Sequence, residues 1–101
     1  MFKRLNISLD YDETYTEDPE CWNEVINVFK KYGHRVFCIS ARSENMDNRI
    51  ELESVLDIPV FLTGHKSKRD FAKLNDLDID VWIDDRPEAV LKDTNTNNGW
   101  I

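Results

Sequence analysis

Residues 5–14 read LNISLDYDET, an apolar run from Leu5 to Leu9 followed by Asp10, Tyr11, Asp12, Glu13 and Thr14. The run has strand length and composition, and Asp10 closes it. Asp10 and Asp12 stand two residues apart, so on an extended segment both carboxylates project toward the same side. One member of such a pair can attack while the other moves protons, provided their surroundings set different protonation states. The plainer reading is a turn, because Asp at a strand end is common. The rest of the chain has to decide between the two.

Working outward, short β-rich runs alternate with longer helical stretches. Asp18 reads as an N-cap, with Pro19 at the first helical position and Glu20 adding a favourable charge to the first turn. Trp22, Val25, Ile26 and Phe29 follow at helical spacing, and Gly33 ends that helix. A second strand, His34 to Ile39, ends at Ser40. Ser43 is the expected cap of a helix reaching about Leu56, with Ile50, Leu52, Val55 and Leu56 as its apolar positions. Pro59 to Leu62 is a third, short strand whose leading proline suggests an edge. Lys66 to about Asp76 reads as a third helix with Phe71, Ala72 and Leu74 inward. Ile79 to Ile83 reads as a buried fourth strand ending at Asp84-Asp85, with Trp82 in the core. Residues 1–93 form one expected domain, and 94–101 a loose C-terminal tail.

Strands alternating with helices imply a parallel sheet wound by right-handed crossovers. In such sheets ligands bind outside the carboxyl ends of the strands. Those ends carry Asp10 with Asp12, Ser40, Thr63, and Asp84 with Asp85. A turn after an apolar strand needs only one acid, so two acidic clusters at strand ends read as a hard oxygen-ligand site suited to Mg²⁺. Ser40 can hydrogen-bond a phosphoryl oxygen and the amide of Ala41 can add to it, although a lone strand-end Ser more often makes a local turn bond. Lys66 and Lys68 lie near the start of the third helix. A lysine there is ordinary surface and mildly unfavourable to the helix dipole, which makes a functional reason welcome.

These pieces, in this order, resemble the haloacid dehalogenase (HAD) superfamily of phosphatases and phosphotransferases. The first family motif, D-x-D-x-T/V after an apolar strand, stands here as ISLDYDET; the strand ending in Ser or Thr is VFCIS. The helix-start Lys is Lys68 or Lys66, and the strand ending in an acidic pair is VWIDD. The chain is also similar to small HAD-like proteins carried by bacteriophages, which share phrases such as D-x-T-Y-T-x-D-P. The resemblance implies an α/β fold, a small Rossmann-like three-layer sandwich with strand order 3-2-1-4. The superfamily's fifth strand is hard to find after Asp85, where residues 89–91 (AVL) read as helix or strand.

The resemblance also implies roles. Asp10 is the expected nucleophile, forming an aspartyl-phosphate, and Asp12 the expected acid and base. Asp10, the Asp12 backbone carbonyl and Asp84 are expected to hold Mg²⁺, with Asp85 acting through water or orienting its neighbour. Ser40 is expected to bind the phosphoryl group, Lys68 (with Lys66 as the fallback) to neutralise the intermediate, and Thr14 to fix the loop. Arg42 and Arg86 are candidate substrate contacts. Tyr11 and Tyr15 can either stack on a base or pack over the loop. Glu13 stands where many relatives carry Gly. Neither Glu13 to Glu17 nor Gly64 to Ser67 can hold a cap domain, so the site is expected to be uncovered. Capless members act on phosphates displayed by large partners or borrow a lid from another subunit. The expected activity is therefore a Mg²⁺-dependent phosphatase acting on nucleotide or polynucleotide-end phosphates, with an oligomer left open. The alternatives are a non-catalytic HAD-like module regulating a host protein, and a receiver-like phosphoacceptor. The last fits poorly, because its acceptor Asp follows the third strand, where this chain has Thr63.

Composition bounds these readings. The chain has 101 residues, 41 % hydrophobic and 33 % charged, which suits one domain with a modest core and argues against disorder. Thirteen basic against twenty acidic residues leave a net charge of −7. That disfavours non-specific nucleic-acid binding, which rests on many Lys/Arg–phosphate contacts. Apolar runs fall far short of the roughly 18 residues a membrane span needs, and no signal-peptide pattern opens the chain. Cys21 and Cys38 make no metal or redox spacing, and with only His34 and His65 beside them a structural zinc site is not expected. The expectation is a cytoplasmic protein with reduced thiols.

Overall fold

The computed structural model describes residues 2–94. Four strands, β1 (Asn6–Leu9), β2 (Arg35–Ser40), β3 (Val60–Leu62) and β4 (Val81–Ile83), form one sheet. All neighbours are parallel, as the alternating pattern implies, and the order is β3-β2-β1-β4, the order the resemblance implies. Helices α1 (Pro19–Lys31), α2 (Met46–Val55) and α3 (Lys68–Leu74) make the three crossovers, and α4 (Pro87–Leu91) follows β4. The segment read as helix or strand at 89–91 is the end of α4, and among the described residues the sheet has four strands. No helix among them is long and apolar enough to cross a membrane.

Register explains the layers. Ile7 pairs with Val36 and Cys38 with Val60, so these residues share one face of the sheet. There Leu9, Val36, Cys38, Val60 and Leu62 pack with Ile26 of α1 and Leu52 of α2. On the other face Phe37 meets Phe61 at 6.2 Å between ring centroids, and Phe61 meets Phe71 of α3 at 6.3 Å. The central strand β1 alternates polar and apolar residues, yet it is covered on both faces: Ser8 is buried along with Ile7 and Leu9. β4 differs from its reading as a buried strand: it is an edge, and Val81, Trp82 and Ile83 are each half-buried.

The caps also bear on the site. Asp18 accepts from the Cys21 N–H at the start of α1, as read. Gly33, at φ +87°, takes the left-handed turn after α1, where a Cβ would find room beside the Phe2 ring but would strain the backbone. α2 is capped by Asn45, not Ser43, its Oδ1 accepting from the Asn48 N–H at 2.9 Å. Of its expected inward residues, Leu52 and Leu56 are buried but Ile50 and Val55 are exposed. Ile50 and Leu52 cannot both face inward, because residues two apart point about 200° apart on a helix. α3 is shorter than read. Ser67 caps it, taking the Asp70 N–H on Oγ at 3.0 Å, and Leu74 is exposed.

Candidate functional site

The sheet pairing runs on past β1, since the Asp10 N–H donates to the Ile83 carbonyl at 3.0 Å. That bond sets Asp10 beside the end of β4, where Asp84 and Asp85 follow. One carboxylate oxygen from each of Asp10, Asp84 and Asp85 falls within a group 4.8 Å across. At the end of β2, Ser40 is buried, and its Oγ accepts from the Arg42 N–H at 3.2 Å.

Lys68 reaches this cluster from the first turn of α3. Its Nζ donates to Asp10 Oδ1 at 2.8 Å and to Asp84 Oδ2, with 2 % of the residue exposed. A lysine so buried persists only when paired. Burial works against its charge, yet Asp10 and Asp84 outweigh that and hold its pKa above the ordinary value. Lys66 is exposed, so Lys68 is the lysine that meets the acids.

Burial pushes the Asp10 carboxyl up to about 7, against the pull of Lys68; the bond with Asp85 and the charge of Asp84 add to the rise. Burial opposes the charge on Asp85 too, but its bonds with Asp10 and Thr14 win and hold it below the ordinary value. Thr14 Oγ1 lies 3.2 Å from both Asp10 Oδ2 and Asp85 Oδ1, so this one hydroxyl ties the first loop to the last strand end. The loop winds into a 3-10 turn, Tyr15–Glu17, with the Tyr15 N–H on the Asp10 carbonyl. Tyr11 and Tyr15 are buried and stack on each other at 5.7 Å, which leaves them packed in the loop. Glu13 takes a left-handed conformation at φ +62°, a backbone that suits Gly.

Asp12 does not join the cluster. Both its oxygens accept from Arg42, at 2.9 Å from Nε and 2.8 Å from Nη2. Arg42 Nη1 donates to Asn48 and Glu51 of α2 at 3.0 and 2.9 Å. Asp10, Asp12, Ser40, Ala41, Arg42, Lys68, Asp84, Asp85 and Arg86 nevertheless line one open cleft at the strand ends.

Ser67, Asp93 and Thr94 also support the site. Asp93 Oδ1 accepts from the Ser67 N–H at 2.7 Å, and Thr94 donates its N–H to the His65 carbonyl at 2.9 Å. Thr94 is the first residue of the expected loose tail, yet both it and Asp93 tie the chain after α4 to the start of α3. The rest of the expected tail, 95–101, lies outside the described residues. Ser67 was legible, because S-x-x-D in SKRD is a capping pattern that puts the helix start at Lys68. Nothing local signals Asp93.

Three carboxylates and one ammonium leave the cluster with net negative charge when all are ionised, and the donors are hard oxygens. Such a set fits a small divalent cation that keeps waters of its own. Comparison with protein-family models, curated proteins and solved structures finds no match to this chain.

Proposed function

We propose that the protein is a Mg²⁺-dependent phosphatase of haloacid dehalogenase type, working through a phosphoryl group carried on Asp10. The observation that carries the reading is the buried Lys68 ammonium joining Asp10 to Asp84 at the ends of adjacent parallel strands, beside buried Ser40. In this reading an Asp10 oxygen attacks phosphorus while the bond to the leaving oxygen breaks, and Asp12 gives that oxygen its proton. Asp12 then takes a proton from the water that cleaves the Asp10–phosphorus link. Ser40 Oγ donates to a phosphoryl oxygen, and Lys68 offsets its charge. Asp10, Asp84 and Asp85 would hold Mg²⁺, which when bound neutralises charge between the phosphate and the carboxylates. Nucleotide or polynucleotide-end phosphates are the favoured substrates, on the likeness to phage HAD-like proteins.

The test is phosphate release from an aryl phosphate, then from a panel of nucleotides, oligonucleotides and sugar phosphates. Release is expected in Mg²⁺, with loss in EDTA and in Asp10→Asn, and with Ca²⁺ a poor substitute. Undiminished turnover by Asp10→Asn would sink the mechanism. A second reading, a non-catalytic metal- or protein-binding module, is favoured by the Arg42 fork that occupies both Asp12 oxygens. It expects Mg²⁺ binding with no turnover of any member of the panel.

A further inference from the structure

Arg42 has a fixed end and an exchangeable end. Its Nη1 is anchored to Asn48 and Glu51 of α2, and its guanidinium lies 5.3 Å from the centre of the buried Tyr11 ring. Its other edge, Nε and Nη2, forms the planar fork that holds Asp12. That fork fits two oxygens of a carboxylate or of a phosphoryl group equally well. The Asp12 side chain is 50 % exposed and the Arg42 side chain 24 %. Asp12 is thus the partner with room to turn, and Arg42 the one that stays. The arginine also follows the Ser40 end of β2, its backbone N–H on Ser40 Oγ, and lines the same cleft as Asp10 and Lys68.

We propose that Arg42 is a substrate-released latch: it holds Asp12 away from the acidic cluster until a phosphoryl group takes the fork, and the exchange frees Asp12. The proposal rests on the phosphatase reading. It makes Arg42 a positioning residue for Asp12, and it ties the release of Asp12 to occupancy of the cleft. The open cleft then gains its proton-transfer group only when a phosphate is present.

The test is NMR titration of the Mg²⁺-loaded protein with inorganic phosphate. The Arg42 Nε–H resonance, assigned by its loss in Arg42→Lys, is expected to move with the same midpoint as the Ala41 amide. Phosphate affinity is then compared across wild type, Asp12→Asn, Arg42→Met and the double variant. Asp12→Asn removes the competitor for the fork, so phosphate should bind about tenfold tighter, and that gain should vanish when Arg42 is already Met. A gain that persists in the Arg42→Met background marks simple charge repulsion by Asp12 and overturns the latch. An Arg42 resonance that stays still while the Ala41 amide moves overturns the latch and leaves the phosphatase reading standing. If neither resonance moves at saturating phosphate, both fall. The titration of the wild type decides the matter even if Arg42→Met fails to fold.

Discussion

Lys68 holds its ammonium against Asp10 and Asp84 with almost no exposure, whereas Lys66 two residues earlier lies in solvent. Removing one partner of a buried ion pair strands the other charge. Lys68→Met should therefore lower the stability of the metal-free protein by about 3–5 kcal/mol. In Mg²⁺ it should cost roughly 10²–10³ in turnover, as loss of an anion-stabilising group does. Lys66→Ala should leave both near wild type, and urea titrations with turnover assays on the two variants check the ordering. Glu13 is a second residue-scale case. At φ +62° a side chain costs about 1–2 kcal/mol that Gly avoids, part of it returned through the freer unfolded chain. Glu13→Gly should exceed Glu13→Ala in stability by about 1 kcal/mol, or some 4–8 °C in Tm for a domain this small. Equal melting temperatures for the two would show that the turn carries no such strain.

At the scale of elements, α2 shows what periodicity can and cannot decide. Its apolar residues are spread round the helix, so sequence alone offers several inward faces. The packing selects Leu52 and Leu56 and leaves Met46, Ile50 and Val55 outside. Leu52→Ala should cost about 2–5 kcal/mol, the range for emptying a closed core site. Ile50→Lys should stay within about 0.5 kcal/mol of wild type, as exposed positions do. Denaturant unfolding of both variants tests the assignment, and a large loss from Ile50→Lys would put the helix on the wrong face. α1 was easier to read, because Asp18, Pro19 and Gly33 mark both of its ends. For α3 the expected start at Lys66 is two residues early, and the SKRD capping pattern marks the start at Lys68 that the structure has.

For the whole molecule, the acidic cluster couples folding to pH and, in the proposed reading, to metal. Asp10 has a folded pKa of about 7 against an ordinary 3.8, so folding takes up a proton between those values. Stability from this group is greatest below the ordinary value and falls as pH climbs toward 7, where a buried carboxylate must be carried. Asp85, Asp80, Glu44 and Glu88 are shifted the other way. The stability they add is lost only as pH falls through their own low range, so from about pH 5 to 7 Asp10 sets their combined slope. The melting temperature of the metal-free protein should drop across that window. If the cluster holds Mg²⁺ as proposed, the ion should flatten the drop, because a ligand of the ionised native state stabilises it by mass action. Asp10→Asn should flatten it without metal. The same drop in Asp10→Asn would assign the slope to other groups.

The order of strands and helices, and the placing of Asp10, Ser40 and Asp84-Asp85 at strand ends, were determined by the sequence itself. Apolar runs, caps and turn residues act over a few positions, and parallel crossovers leave few topologies to choose among. Only the tertiary structure decided which lysine enters the cluster, where Asp12 turns and what steadies α3. Those outcomes rest on contacts between residues 58, 30 and 26 positions apart: Lys68 with Asp10, Arg42 with Asp12, and Ser67 with Asp93. No local pattern encodes such pairs, because a charged side chain selects its partner only after the sheet has brought the loops to one edge.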